Sequence, residues 1–453
     1  MHLNTTTRIG IFLLAQTLFW AGTATAAADD AALAGKRYVV TDAGAVGDGQ
    51  TLNTKAIQSV IDQCAGDGGG VVVVPKGVFV SGALFFKPGV NLLVEADGVL
   101  KGSVNPDDYP QVNTRWEGVE REWTCAFLNF DNMTNVVVDG AGMIDGSGDI
   151  WMQRGGGGRP RRGPGQSPAT NAPAMEAARP PTASPAARRG RPRMICFTRC
   201  QNVRIADLHL QRQAVWCLHL LYCNDVIATN LNIRSIERIP SSDGIDVDSC
   251  RNIEITHCDI ACFDDNIAIK CGKDADGLRV NQPSENITIS DCLIGKGAGI
   301  TMGSEVSGSI RHVLVERCQF EGSDAAARFK SQPSRGGVIE DIVYRDIQLK
   351  DVHQAFEFLL QWRMVSPIVP PAKVLTEVRN VQLINFTGAV QSLGTLNGLK
   401  GSPIHDVKFV NCNLTAQHGL TLQNVRDLDL SGLPATVSEG PAIVRRDGAG
   451  AGQ

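Results

Sequence analysis

The sequence predicts an all-β chain: a single-stranded right-handed parallel β-helix with an N-terminal helical cap. Three observations carry this. Short segments of one form recur along the chain, each an Asn, Asp or His followed by alternating apolar residues. Gly is abundant at 48 residues and aromatics make up only 6%, which suits many tight turns better than a helical bundle. A ladder of apolar residues and cysteines falls at one fixed offset from the segment starts.

The segments begin at Asn135, Asn202, Asp225, Asn252, Asn286, His312, Asp341, Asn380 and Asp406, and from Asn202 on the spacings are 23, 27, 34, 26, 29, 39 and 26. Period-2 alternation marks half-buried strands. A repeat of this length with variable insertions marks stacked coils, and β-branched alternation is wrong for a 3.6-residue period. The handedness follows the general crossover preference. Six positions after the starts, from Asn202 on, come Leu208, Leu231, Cys258, Cys292, Cys318, Ile347, Phe386 and Cys412. Thirteen cysteines, an odd count in an exported chain, suggest a disulfide framework with one thiol left over. The ladder offers a different reading for several of them. A buried thiol behaves as a small hydrophobe, so Cys258, Cys292 and Cys318 read as core packing, and their spacings match no zinc motif.

The organisation reads from the N-terminus as follows. Residues 1–26 form a secretory signal: Arg8, an apolar run from Ile9 to Trp20, and Ala24-Thr25-Ala26 as the cleavage site. Residues 27–152 hold the cap and the first coils; Thr54 to Cys64 has helical apolar spacing and would cover the open end of the solenoid. Residues 153–193 break the pattern with nine Arg and one Glu among Gly, Pro and Ala, the composition of a flexible insertion. Residues 194–442 carry the remaining coils and the site, and 443–453 form a loose tail. The expected location is exported, periplasmic or extracellular. The net charge of −4 gives no field favouring nucleic acid. No segment after the leader is long and apolar enough for a bilayer, and a monomer is expected.

Three segments on successive coils could form one site. Asp243 follows Ser241-Ser242; Asp264-Asp265 lies 21 residues beyond Asp243, about one coil; Arg328-Phe329-Lys330 comes later. Converging carboxylates are what glycosidic hydrolysis needs. On a strand Arg328 and Lys330 share one side, with Phe329 on the other. Cations beside carboxylates make sense for a substrate that itself carries carboxylate. Trp216 and His219 lie one coil before Asp243 and could line a sugar subsite, although Trp216 serves packing equally well. Asp246 and Asp248 alternate with Ile245 and Val247, so they face outward as supports for Asp243.

At these residues the chain resembles glycoside hydrolase family 28, the polygalacturonase family. Ser241-Ser242-Asp243, Asp264-Asp265 and Arg328-Phe329-Lys330 answer three of the family's four motifs, in order. The departure is Gly297-Ala298-Gly299, where Ala298 stands in place of the family's His. Branches of the family acting on rhamnogalacturonan also lack that His. The stretch from Lys270 to Asn286, together with Gly303-Ser304-Glu305, resembles the exo-acting branch, and a longer loop there would close one end of the groove. The resemblance implies inverting hydrolysis of pectic polysaccharide or oligosaccharide, with Asp264 as general acid and Asp243 and Asp265 holding and deprotonating the water. It implies Arg328 and Lys330 on the uronate, Glu305 near substrate, and no metal or cofactor. Two rivals stand beside it. A calcium-dependent pectate lyase shares the solenoid but would need acidic calcium ligands and an Arg base. A non-catalytic glycan-binding β-helix would need no turnover at all.

Overall fold

The structure, a computed structural model, describes residues 33–154, 190–236, 239–362 and 372–446. The signal segment 1–26, most of the Arg-rich insertion and the last residues of the tail lie outside them. Among the described residues, 32 strands join into one continuous sheet whose neighbouring strands run parallel, and one antiparallel hairpin stands apart. The fold is a right-handed parallel β-helix. Its coils carry three stacked strand columns. Ile195–Thr198, Leu218–Leu221, Ile245–Asp248, Ile267–Lys270, Ile300–Met302 and Ala325–Lys330 form the column that matters for function.

The residue that opens each sequence segment has a backbone reason to be Asn, Asp or His. From Asn135 to Asp406 all nine have φ between 50° and 58°. That is the left-handed region, which Asn and Asp tolerate best after Gly. The same residues bond from coil to coil: Asn202 Nδ2 donates to Asn135 Oδ1 (2.6 Å), Asn252 Nδ2 to Asp225 Oδ1 (2.9 Å) and Asn286 Nδ2 to Asn252 Oδ1 (3.0 Å). The turn is therefore set by local sterics and then stacked into a polar ladder.

The predicted interior ladder is present. Leu208, Leu231, Cys258, Cys292, Cys318, Ile347, Phe386 and Cys412 are all buried in the main core. All 13 cysteines are free and buried, so the first reading, a disulfide framework, gives way to the second. A second stack joins Cys223 to Cys250, whose sulfur accepts from Cys223 N at 3.2 Å. Helix Thr54–Gly66 caps the open end with Ile57, Val60, Ile61 and Cys64 buried. Asn53 fixes its entry by accepting from Val46 N (2.7 Å) and donating to Val46 O (3.0 Å).

One element was not anticipated within residues 27–152. Gln111–Trp116 and Val119–Thr124 form an antiparallel hairpin. Its two-residue turn, Glu117-Gly118, has φ of 45° and 75°, the twist that suits a tight hairpin. The hairpin lies over the functional column: Arg115 reaches Asp248, and Lys273 N donates to Gly118 O at 2.9 Å.

Candidate active site

The site grows out of one strand face. In the functional column Ile245, Val247, Ile267, Ile269, Ile300, Met302 and Phe329 enter the core. The alternate positions point outward, and register stacks them: Cys196, His219, Asp246, Ala268, Thr301, Arg328 and Glu357 are successive partners. Two residues on, Asp248 pairs with Lys270. The three sequence-predicted carboxylates sit in the turn just before these strands. Register pairs Ile245 with Ile267, and Gly244 N donates to Asp265 O at 3.0 Å. The coil there is 22 residues, so Asp265 stacks over Asp243 and Asp264 is offset by one, a small correction to the 21-residue spacing.

Asp265 is held by three donors: Lys330 Nζ at 2.6 Å, Thr301 Oγ1 at 2.8 Å and Arg328 Nη1 at 3.2 Å. Burial opposes its ionisation, but Lys330 and then Arg328 overcome this and hold its pKa well below the usual carboxylate range. Asp264 is the more accessible of the two neighbours. Its Oδ2 accepts from Ser241 N (3.2 Å) and its Oδ1 from Asp265 N (3.1 Å), and it is half-buried where Asp265 is buried. Asp243 is buried, and burial, then Asp246 and Asp264, push its pKa well up against a smaller opposing effect of Lys270.

Arg328 and Lys330 do share a side. Arg328 Nε donates to Glu357 Oε2, and both cations lie over the Trp362 ring, at 5.1 and 5.6 Å from its centroid. Their charges are thus balanced within the protein by Asp265 and Glu357. Trp362 and Glu357 belong to this part of the site but were not found in the sequence, since neither sits in a recognisable motif. Thr301 was missed for the same reason.

Lys270 is the largest omission. Its ammonium lies 3.5 Å from each of Asp243, Asp246 and Glu305 and 5.1 Å from the Trp216 ring. The alternation in Ile267–Lys270 could have placed it on the outer face beside Asp248. Glu305 is buried; burial disfavours its charge, but Lys270 and Arg335 hold its pKa below the ordinary value. Trp216 packs between Trp116 (4.6 Å) and His219 (5.0 Å).

His219 requires a correction. It is completely enclosed. Arg193 Nη1 donates to its Nδ1 at 2.7 Å, and its Nε2 faces Asp248 at 3.7 Å. A side chain with no exposed surface cannot contact a sugar, so His219 is a support. Asp246 and Asp248 likewise face out of the coil but not into solvent: both are fully buried, and the hairpin roofs Asp248. Arg115 Nη1 bonds Asp248 Oδ1 (2.8 Å) and Ser249 Oγ (2.7 Å). Against the effect of burial, Arg115 and then His219 bring Asp248 down to about 2.

The loop from Lys270 contains helix Asp274–Val280. Its Asp276 accepts from Glu120 N (3.1 Å), and Arg279 Nη2 donates to Glu120 Oε2 (2.6 Å). Hairpin and helix therefore meet as a wall beside Lys270 and Glu305. The Gly-Ala-Gly turn stands above Asp264, whose backbone O accepts from Ala298 N (2.8 Å). A Cβ at Gly297 would lie 2.4 Å from Asn266 Oδ1, and one at Gly299 2.1 Å from Ala325 O. Both glycines are dictated by close approach, while Ala298 brings no polar group to the cluster.

Fold and site together define a long parallel solenoid with a buried, cation-balanced carboxylate cluster on one face, and the comparisons give the family. Residues 181–432 match Glycosyl hydrolases family 28, and the chain belongs to that family. It is 29% identical over 328 residues to the "Probable polygalacturonase" of Vitis vinifera, covering 70% of this chain and 61% of that protein. It is 27% identical over 420 residues to the exo-poly-alpha-D-galacturonosidase of Dickeya chrysanthemi, covering 86% and 68%. Among solved structures, the exopolygalacturonase of Thermotoga maritima superposes with a TM-score of 0.72 at 25% identity, over 89% of this chain and 96% of that one. The chain thus spans about three fifths of the length of the Vitis relative.

Proposed function

We propose that the protein hydrolyses α-galacturonosyl linkages of pectic chains with inversion, acting from a chain end. The observation that carries this is the division of labour among the carboxylates. Asp265 is ionised by Lys330 and Arg328, as a base must be. Asp264 is only half-buried, so it can reach a leaving oxygen. Asp264 protonates that oxygen as the glycosidic bond breaks. Asp265 takes a proton from the attacking water, which Asp243 orients from the coil below. Inverting enzymes separate the two carboxyls by about 6.5–9.5 Å to leave room for that water. Arg328 and Lys330, with Trp362 over them, would receive the adjoining sugar, the guanidinium bonding its carboxylate. The wall of hairpin and helix beside Lys270 and Glu305 supports end-on action. The leader that the sequence predicts over residues 1–26 fits export to where such chains occur.

The lyase alternative fits less well. A calcium site needs carboxylates free to coordinate a cation. Here Lys330 and Arg328 already hold Asp265, and Lys270 stands among Asp243, Asp246 and Glu305.

The test is a product profile on homogalacturonan and on rhamnogalacturonan oligosaccharides. A single small product released from the first time points is expected. An early spread of intermediate sizes would refute end-on action, and binding without turnover on any pectic substrate would favour the glycan-binding reading.

A further inference from the structure

Asp246 has no part in the chemistry above, yet it is fully buried beside it. With its carboxylate ionised, neither oxygen has a hydrogen-bond donor. A buried charge without donors is costly. The groups facing it are Lys270 from the next strand, His219 from the preceding one, and Asp243 and Asp265 from the turns on either side. Of these, Lys270 is 3.5 Å away and is shared equally with Asp243 and Glu305. One ammonium thus serves three buried carboxyls. Asp243 and Asp246 meet at one ammonium, each 3.5 Å from Lys270 Nζ. Two carboxylates that close cannot both ionise, and a proton between them supplies the donor Asp246 lacks.

We propose that Asp243 and Asp246 share one proton over Lys270, and that Asp246 is a positioning residue which keeps Asp243 protonated while Asp265 acts as the base. The inference rests on the hydrolase reading and deepens it. The proton balance is simple. The water proton goes to Asp265, the Asp264 proton goes to the leaving oxygen, and the shared proton stays with the pair. Its task is to keep Asp243 from competing with Asp265 for the water proton and to hold the water by the free Asp243 oxygen. Burial pushes the carboxyls of both Asp243 and Asp246 up against the opposing effect of Lys270, so a proton stays with the pair above the range where an exposed aspartate has lost its own.

The competent form carries the shared proton, so its loss sets the alkaline limb of kcat/KM. Asp246→Asn places an amide donor on Asp243 and favours its ionised form, so the limb should move down by about one pH unit. Lys270→Gln removes the cation that favours ionisation, so the limb should move up. A merely structural role would lower kcat at every pH without moving the limb. The second arm needs no turnover: infrared difference spectra of the full chain, titrated from acid to neutral pH, should show a protonated-carboxyl band persisting above pH 5 in the wild type and lost at lower pH in Asp246→Asn. An unmoved limb together with an unmoved band overturns the proposal. If no substrate is turned over, the hydrolase reading fails on its own and the band still decides the proton.

Discussion

Asp264→Asn is expected to lower kcat about 10²–10⁴-fold, the contribution of a positioned general acid, with KM changed only a few-fold and the urea midpoint preserved. The fold should survive because Asp264 is only half-buried and its contacts are two backbone N–H groups, Ser241 N and Asp265 N. The Asn side-chain oxygen retains one, and water can replace the other. The neighbouring position would not separate function from stability in this way. Asp265→Asn leaves Lys330 and Arg328 facing an uncharged amide in a buried setting, so both activity and stability should fall. Steady-state kinetics and urea denaturation of the two variants side by side check the distinction. Equal loss of stability in both would mean that Asp264 is structural.

Arg115→Met is expected to destabilise the protein by about 3–5 kcal/mol, the usual cost of stripping one partner from a buried ion pair. Arg115 and Asp248 are both enclosed, and Arg115 also bonds Ser249 and lies over the Tyr222 ring, 4.6 Å from its centroid. Removing the guanidinium leaves Asp248 with His219 and with the Ser249 hydroxyl, which donates to its Oδ1 at 3.4 Å. The double variant Arg115→Met with Asp248→Asn should recover part of the loss, because the orphaned charge is gone. The pH dependence has a definite sign. Asp248 is lowered from 3.8 to about 2 in the folded protein. Its stabilisation is therefore present above about pH 4 and lost as the pH falls through about 2. Urea midpoints in that window should drop more steeply for the wild type than for Arg115→Met.

These two variants also mark what could be read in the sequence. Asp264 was legible as a candidate because a motif singles it out, although the 22-residue coil places Asp265 rather than Asp264 one full turn from Asp243. The coil itself was legible too: the left-handed turn residues and the interior ladder are local properties, repeated often enough to be seen. Arg115 was not legible as a partner of Asp248, since the two are 133 residues apart and meet only when the hairpin folds over the column. Alternation revealed that Asp246 and Asp248 leave the coil interior, but it could not reveal that other side chains cover them. The hairpin did leave a trace, two alternating runs around Glu117-Gly118. Lys270 shows the remaining gap. Its outward side follows from its own strand, whereas its three carboxyl neighbours follow from inter-strand register and from the Gly303-to-Glu305 turn. Single-strand periodicity contains neither.

The central claim is inverting hydrolysis by Asp264 and Asp265, and the most direct measurement is the anomeric configuration of the first-formed product, followed by proton NMR before mutarotation. Hydrolysis of an α-galacturonosyl linkage by this arrangement predicts the β anomer first, equilibrating later to the mixture. The α anomer appearing first, or an unsaturated uronate in its place, would contradict the account.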